Sequence, residues 1–140
     1  MPTIFTRIID GEIGARFVYK DSACVAFLDV RPLARGHCLV VPRSEVDQWT
    51  DLPAGEAAHL TEVAHAIGNV QMRLLNPTRI GLMIAGFEVP HVHVHVVPLD
   101  SMANLDFALA DTSPDPEDLD ELQTRIAEGL AAAGHEGATT

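Results

Sequence analysis

The run Pro90-His91-Val92-His93-Val94-His95-Val96-Val97-Pro98 limits what this chain can become more than any other stretch. Valines that alternate with a second residue type have the period of a half-buried strand, so His91, His93 and His95 are expected to leave one face together. The valines then face a core, and Pro90 and Pro98 bracket the strand where a missing amide donor does least harm.

Four readings of that row are open. A solvated strand face has to account for three of the seven histidines falling within five residues. A metal site is the second, because His-x-His on a strand can chelate zinc. At about 3.3 Å of rise per residue, however, the outer Cα atoms lie roughly 13 Å apart, so two imidazoles would need a ligand from elsewhere. The third is a phosphate-binding and catalytic row, in which neighbouring imidazoles serve as nucleophile, donor and positioning group. The fourth is a pH-switched binding surface without chemistry.

At 140 residues the chain is one domain of ordinary size, able to bury a real core. Its formal net charge of -11 excludes nucleic acid and an anionic membrane as the expected main partners, since clustered Lys and Arg hold phosphate backbones. The opening residues lack the basic start and apolar run of an export signal, and no stretch reaches the length of a membrane span, so a cytoplasmic protein is expected. Cys24 and Cys38 sit in apolar strand-like runs without Cys-x-x-Cys spacing, which predicts two buried, reduced thiols.

Residues 3 to 10 place Ile4, Phe5, Ile8 and Ile9 at helical spacing behind Pro2 and Thr3, predicting a short amphipathic helix. A hairpin follows over 16–20 and 24–30, then a loop through Gly36 and a third, central strand from His37 to Pro42. A long helix is expected over 54–75, with Leu60, Val63, Ile67, Val70 and Leu74 as its stripe and Asn76-Pro77 as its end. His59 and His65 on that helix are given no chemistry, and Trp49 reads as a packing or interface anchor. A fourth strand over 79–85 pairs antiparallel with the histidine strand because the connection is short. Between Asp100 and Glu121 lie eight acidic residues and no basic one, yet Ser113-Pro114 followed by Leu119, Leu122, Ile126 and Leu130 predicts a capped helix ending near Gly134. The fold class is α+β, with one antiparallel sheet under helical cover.

His91-Val92-His93-Val94-His95-Val96-Val97 resembles the motif of the histidine triad (HIT) superfamily of nucleotide hydrolases and transferases. Ile4 to Ile9, Val25 to Asp29 and Gly36 to Pro42 resemble further blocks of that family in the same order. The resemblance implies a HIT domain over 1–100, with 101–140 as an acidic C-terminal extension. It implies a five-stranded antiparallel sheet with one long helix, a short N-terminal helix and a C-terminal one.

For the site, the resemblance implies His93 as the nucleophile toward the α-phosphorus, His95 as donor to a phosphoryl oxygen, and support from His91 and His37. It places Phe5, Ile8 and Ile13 in a purine pocket, with Phe27, Leu28, Asp29 and Val30 along the ribose-contacting strand. Asp29, a carboxylate with two acceptor oxygens, suits a ribose hydroxyl; capping the turn before Arg31-Pro32 is its other reading. His95 points to the hydrolase side, where transferase branches carry Gln. The likeness to HINT-type members favours nucleoside phosphoramidates, with dinucleoside polyphosphate hydrolysis and nucleotide binding without turnover as alternatives. No cofactor is implied, and a homodimer is.

Two departures stand out. The family commonly has Asn at the end of the fourth strand and then a longer Gly-rich connector; here stand Ala85, Phe87 and Glu88. Related bacterial members hold zinc with Cys-x-x-Cys, a histidine after the third strand and the first triad histidine. Thr3, Thr6 and Glu45 occupy the first three of those places, so no structural zinc is expected.

Overall fold

The computed structural model describes residues 1–140. Thr3 caps helix α1 (Ile4–Ile9) by accepting from the Thr6 N–H at 3.1 Å, and α1 buries Phe5 and Ile8. Strands β1 (Phe17–Lys20) and β2 (Cys24–Leu28) form the expected hairpin. Its turn is built by Asp21, whose carboxylate accepts the Ala23 and Cys24 N–H groups at 2.8 Å. Next come β3 (Cys38–Pro42), helix α2 (Ala54–Leu75), β4 (Arg79–Met83), β5 (Val94–Leu99) and helix α3 (Pro116–Ala132). Helix α2 stops where Asn76 turns left-handed, at φ 50°, a conformation asparagine tolerates.

All pairings are antiparallel and the strand order is β1-β2-β3-β5-β4, so β3 is central and β4 is a free edge. One sheet face carries α2 and α3 over a core that includes Val92, Val94 and Val96, together with Leu60, Ile67 and Ile126. The other face carries α1, with Phe5 and Ile8 packed on Val25, Phe27, Leu39 and Val41. Opposite-face alternation follows from the strand period, and both faces of β2 and β3 are covered, which is why these strands read as unbroken apolar runs. No helix is long and apolar enough to cross a membrane. Cys24 and Cys38 are buried free thiols.

Several boundaries differ from the sequence reading: β2 ends at Leu28 rather than residue 30, β3 starts at Cys38 rather than His37, and β4 ends at Met83 rather than residue 85. The histidine strand begins only at Val94, because pairing with β3 ends at Val40 opposite Val94; His91 and His93 precede it in a segment held to the residues after β3 by Val92 N–H donating to Val46 O at 2.8 Å. Pro98 therefore lies inside β5, at a point where pairing with β3 has already ended and β4 alone is the neighbour. The cap of α3 is Asp115, not Ser113: its carboxylate accepts from the Glu117 N–H at 3.1 Å, and Pro116 takes the first helical position. Leu119, Leu122, Ile126 and Leu130 of that helix are buried in the same core as α2.

Candidate active site

Hydrogen bonds to groups that cannot change their role assign a proton to one nitrogen of each of four clustered imidazoles. His93 Nδ1 lies 2.8 Å from the His91 carbonyl, which only accepts, so Nδ1 carries a proton and, in the neutral ring, Nε2 has the free lone pair. The Leu33 N–H donates to His37 Nδ1 at 3.0 Å, so the His37 proton sits on Nε2 and is given to His95 Nδ1 at 2.9 Å. His95 must then carry its own proton on Nε2. His91 Nε2 donates to the Pro42 carbonyl at 2.8 Å, leaving Nδ1 to accept from the Thr3 hydroxyl at 2.7 Å. A bare nitrogen on His93 thus stands beside an N–H on His95, with the two ring centroids 4.9 Å apart.

These two rings form part of the wall of a cavity of about 220 Å³. Phe5, Ile8 and Ile13 line its apolar side, and Phe27, Leu28, Asp29 and Val30 come from β2 and the residues just after it. Phe5 also packs edge-on against His93, at 4.9 Å between centroids. The cross-strand register explains the assembly: Phe27 lies opposite Leu39 and Leu39 opposite His95, so one face of three adjacent strands delivers all three side chains to one side. His91 and His37 do not line the cavity; they sit behind the row, nearly inaccessible, and hold the rings that do.

A second, smaller cavity of about 120 Å³ adjoins the first and shares Asp29, Arg31 and Glu88 with it. Its far wall is Phe107, Ala108, Ala110 and Thr112, tied to the loop after β2 by the Asp111 N–H donating to Pro32 O at 3.0 Å. Phe107 packs edge-on against His95 at 5.3 Å. Sequence reasoning named none of these residues, the acidic segment being equally suited to a partner subunit or to the pocket. The one available signal was a lone phenylalanine within an acidic run, and nothing local tells which imidazole it will meet.

Burial dominates the electrostatics. It pushes His95 down to about 4 and His37 down to about 3, in both cases helped by neighbouring imidazole charge, and it lowers His91 against the opposing pull of the Pro42 carbonyl and Glu45. These rings are neutral near pH 7. Burial raises the Asp29 carboxyl, opposed by the Arg31 N–H donating to Oδ1 at 2.9 Å and by the Arg31 charge.

Two groups of ligand-type atoms lie within 4.8 Å of one another: Asp29 with His37 and His95, and Asp21 with Cys24 and His59. In the first, His37 Nε2 and His95 Nδ1 already share a proton. In the second, the Asp21 carboxylate accepts from Tyr19, His59, Ala23 and Cys24, and burial pushes the Cys24 thiol up to about 12. The imidazole nitrogens that meet in the first group and the carboxylate of the second are thus already hydrogen-bonded.

Comparison with known proteins bears on the same residues. The model of the HIT domain matches residues 10–102. An uncharacterised HIT-like protein of Methanocaldococcus jannaschii is 36% identical over 102 residues, covering 68% of this chain and 77% of its own. An adenylylsulfatase of Arabidopsis thaliana is 27% identical over 68% of this chain, which spans only 51% of that longer protein. Among solved structures, a zinc-bound histidine triad family protein from Mycobacterium smegmatis is 29% identical, with a TM-score of 0.78 over 93% of this chain and 94% of its own. That overlay runs past residue 102, so the likeness takes in most of the C-terminal segment as well. With the matched domain spanning the triad, the sheet and most of the cavity lining, this chain belongs to the HIT family.

Proposed function

We propose that the chain hydrolyses purine nucleoside 5′-phosphoramidates through a covalent nucleotidyl-histidine. The observation that carries this reading is the bare Nε2 of His93: its ring is locked by Nδ1–H on the His91 carbonyl, and it stands in the wall of a cavity that also offers apolar surface and a carboxylate. The purine occupies the side lined by Phe5, Ile8 and Ile13, and Asp29 accepts from the ribose hydroxyls. His93 Nε2 attacks the α-phosphorus, forming a P–N bond as the bond to the leaving amine breaks. The amine departs with a proton passed through Glu88, while His95 Nε2–H donates to a phosphoryl oxygen. Water then attacks phosphorus, the P–N bond to His93 breaks, and the nucleotide leaves as the 5′-monophosphate with the ring neutral again. No step calls for a cofactor.

The smaller cavity favours a small amine as leaving group. Its volume of about 120 Å³ is well below the 220 Å³ of the neighbouring space, which argues against a second nucleoside. Asp29 and Glu88 against Arg31 give it a formal charge of -1, which disfavours an anion. Arg31 supports a second reading, adenylyl sulfate, in line with the activity named for the Arabidopsis relative. Two copies are further proposed to join along β4, whose free edge exposes Leu82, with Trp49 and Ile84 beside it.

Incubation with adenosine 5′-phosphoramidate and, separately, adenylyl sulfate tests the reading. AMP release from the first, faster than from the second and lost in His93→Ala, is expected, with an adenylyl adduct on His93 detected by mass spectrometry after rapid quenching. No AMP from either substrate, or equal turnover by His93→Ala, overturns it. Light scattering with Leu82→Lys tests the dimer.

A further inference from the structure

We infer that Thr3, Thr6, Glu45 and His91 form a metal-free latch in the place where zinc-holding relatives have their ion, and that Thr3 acts through it as a positioning residue for His93. The residues present do not fit zinc. Two of the four are aliphatic alcohols, whereas zinc takes thiolate, imidazole and carboxylate ligands. Both nitrogens of His91 are engaged, Nε2 with the Pro42 carbonyl and Nδ1 with the Thr3 hydroxyl. Glu45 Oε1 accepts the Thr3 N–H and the Thr6 hydroxyl, each at 2.7 Å.

The latch joins three parts of the chain far apart in sequence. Thr3 heads α1, Glu45 follows β3, and His91 precedes β5; Thr3 and Glu45 are 42 residues apart, Thr3 and His91 88. One hydroxyl performs two tasks. Its oxygen caps α1 by accepting the Thr6 N–H at 3.1 Å, and its hydrogen goes to His91 Nδ1 at 2.7 Å. The second task is imposed by the Pro42 carbonyl: it keeps the His91 proton on Nε2, so Nδ1 needs a donor, and burial of the ring leaves no water to supply one. Fixing the ring fixes the residue whose own carbonyl holds His93 Nδ1. The same anchoring presents Phe5 edge-on to His91 at 5.7 Å and to His93 at 4.9 Å. Thr3 thereby sets both the orientation of the attacking ring and one wall of the cavity.

Three measurements test the latch. The unaltered chain, exposed to excess zinc chloride and then dialysed, is expected to keep no stoichiometric zinc by elemental analysis, while Thr3→Cys/Thr6→Cys/Glu45→His is expected to keep one ion per chain. In 15N-detected spectra, Thr3→Val is expected to shift the ring nitrogen signals of both His91 and His93, with Thr3→Ser restoring them. Turnover should fall about ten-fold in Thr3→Val at little-changed KM and return in Thr3→Ser. If Thr3→Val does not fold, Glu45→Ala, which alters only an exposed partner, is expected to shift the same His91 signals less far. The rate measurement alone rests on the proposed hydrolysis, so an inactive protein leaves the zinc and ring-nitrogen readouts standing. Stoichiometric zinc in the unaltered chain, no zinc in the triple variant, or unmoved ring signals in the folded single variant would overturn the inference.

Discussion

Acidification should destabilise this protein well above the pH at which its carboxylates protonate, because folding buries imidazoles in their neutral form. His37 is pushed down from 6.5 to about 3 and His95 from 6.5 to about 4, chiefly by burial. A group with a depressed pKa contributes stability that is complete above its unfolded value and is lost as pH falls toward its folded one. The unfolded chain therefore takes up protons from about pH 6.5 downward that the folded chain refuses. Between about pH 7 and about pH 5, each such ring costs about 2 kcal/mol, and the two together about 4 kcal/mol, a large share of the roughly 5–15 kcal/mol typical of a domain. His91 adds in the same direction. Asp29, whose carboxyl burial raises, acts in the opposite sense, and Asp21, lowered from 3.8, acts only below this window. Urea unfolding followed by far-UV circular dichroism at both pH values reads the effect, with the slope on urea unchanged. His37→Asn should remove about half of the difference. A difference under about 1 kcal/mol in the unaltered protein, or the full difference surviving in His37→Asn, would refute the assignment of neutral buried rings.

Further outcomes follow from single contacts. Asp29→Asn should weaken binding of AMP about ten-fold by titration calorimetry, since the amide keeps the shape of the side chain but not the charged acceptor; unchanged affinity counts against a ribose contact. Gly129→Ala places a Cβ 2.6 Å from Val70 Cγ1, where α3 meets α2, and should cost about 1–2 kcal/mol in urea unfolding despite alanine's helix propensity. A more stable variant would contradict that packing. Phe107→Ala uncovers His95, so an NMR titration should find this ring's pKa moved up toward 6.5. A pKa that stays near 4 would mean that other neighbours bury it.

Much of the fold was legible locally. An unbroken apolar run and a period of 3.6 residues carry their own evidence, and so β2, α2 and the apolar stripe of α3 fall where their side-chain patterns say. The short helix bearing Phe5 was visible for the same reason, and the row of histidines by its period of two. The edge of a strand is a different matter, because it depends on where a neighbour stops pairing: the alternation runs from His91, yet β3 reaches only Val94. The cap of α3 illustrates the point on a smaller scale, since serine and aspartate both suit the position and only the entering backbone selects Asp115.

By itself the sequence determined that three imidazoles would alternate with a valine core, since alternation along an extended backbone needs no partner; that His91 stays behind the other two came only with the fold. Which nitrogen of His91 and of His95 bears the proton was decided by tertiary structure, whereas His93 takes its proton position from the His91 carbonyl two residues away. The Leu33 N–H, the Pro42 carbonyl and the Thr3 hydroxyl come from separate parts of the chain. A proton's position on imidazole depends on what faces each nitrogen, and in this protein those facing groups are supplied by folding.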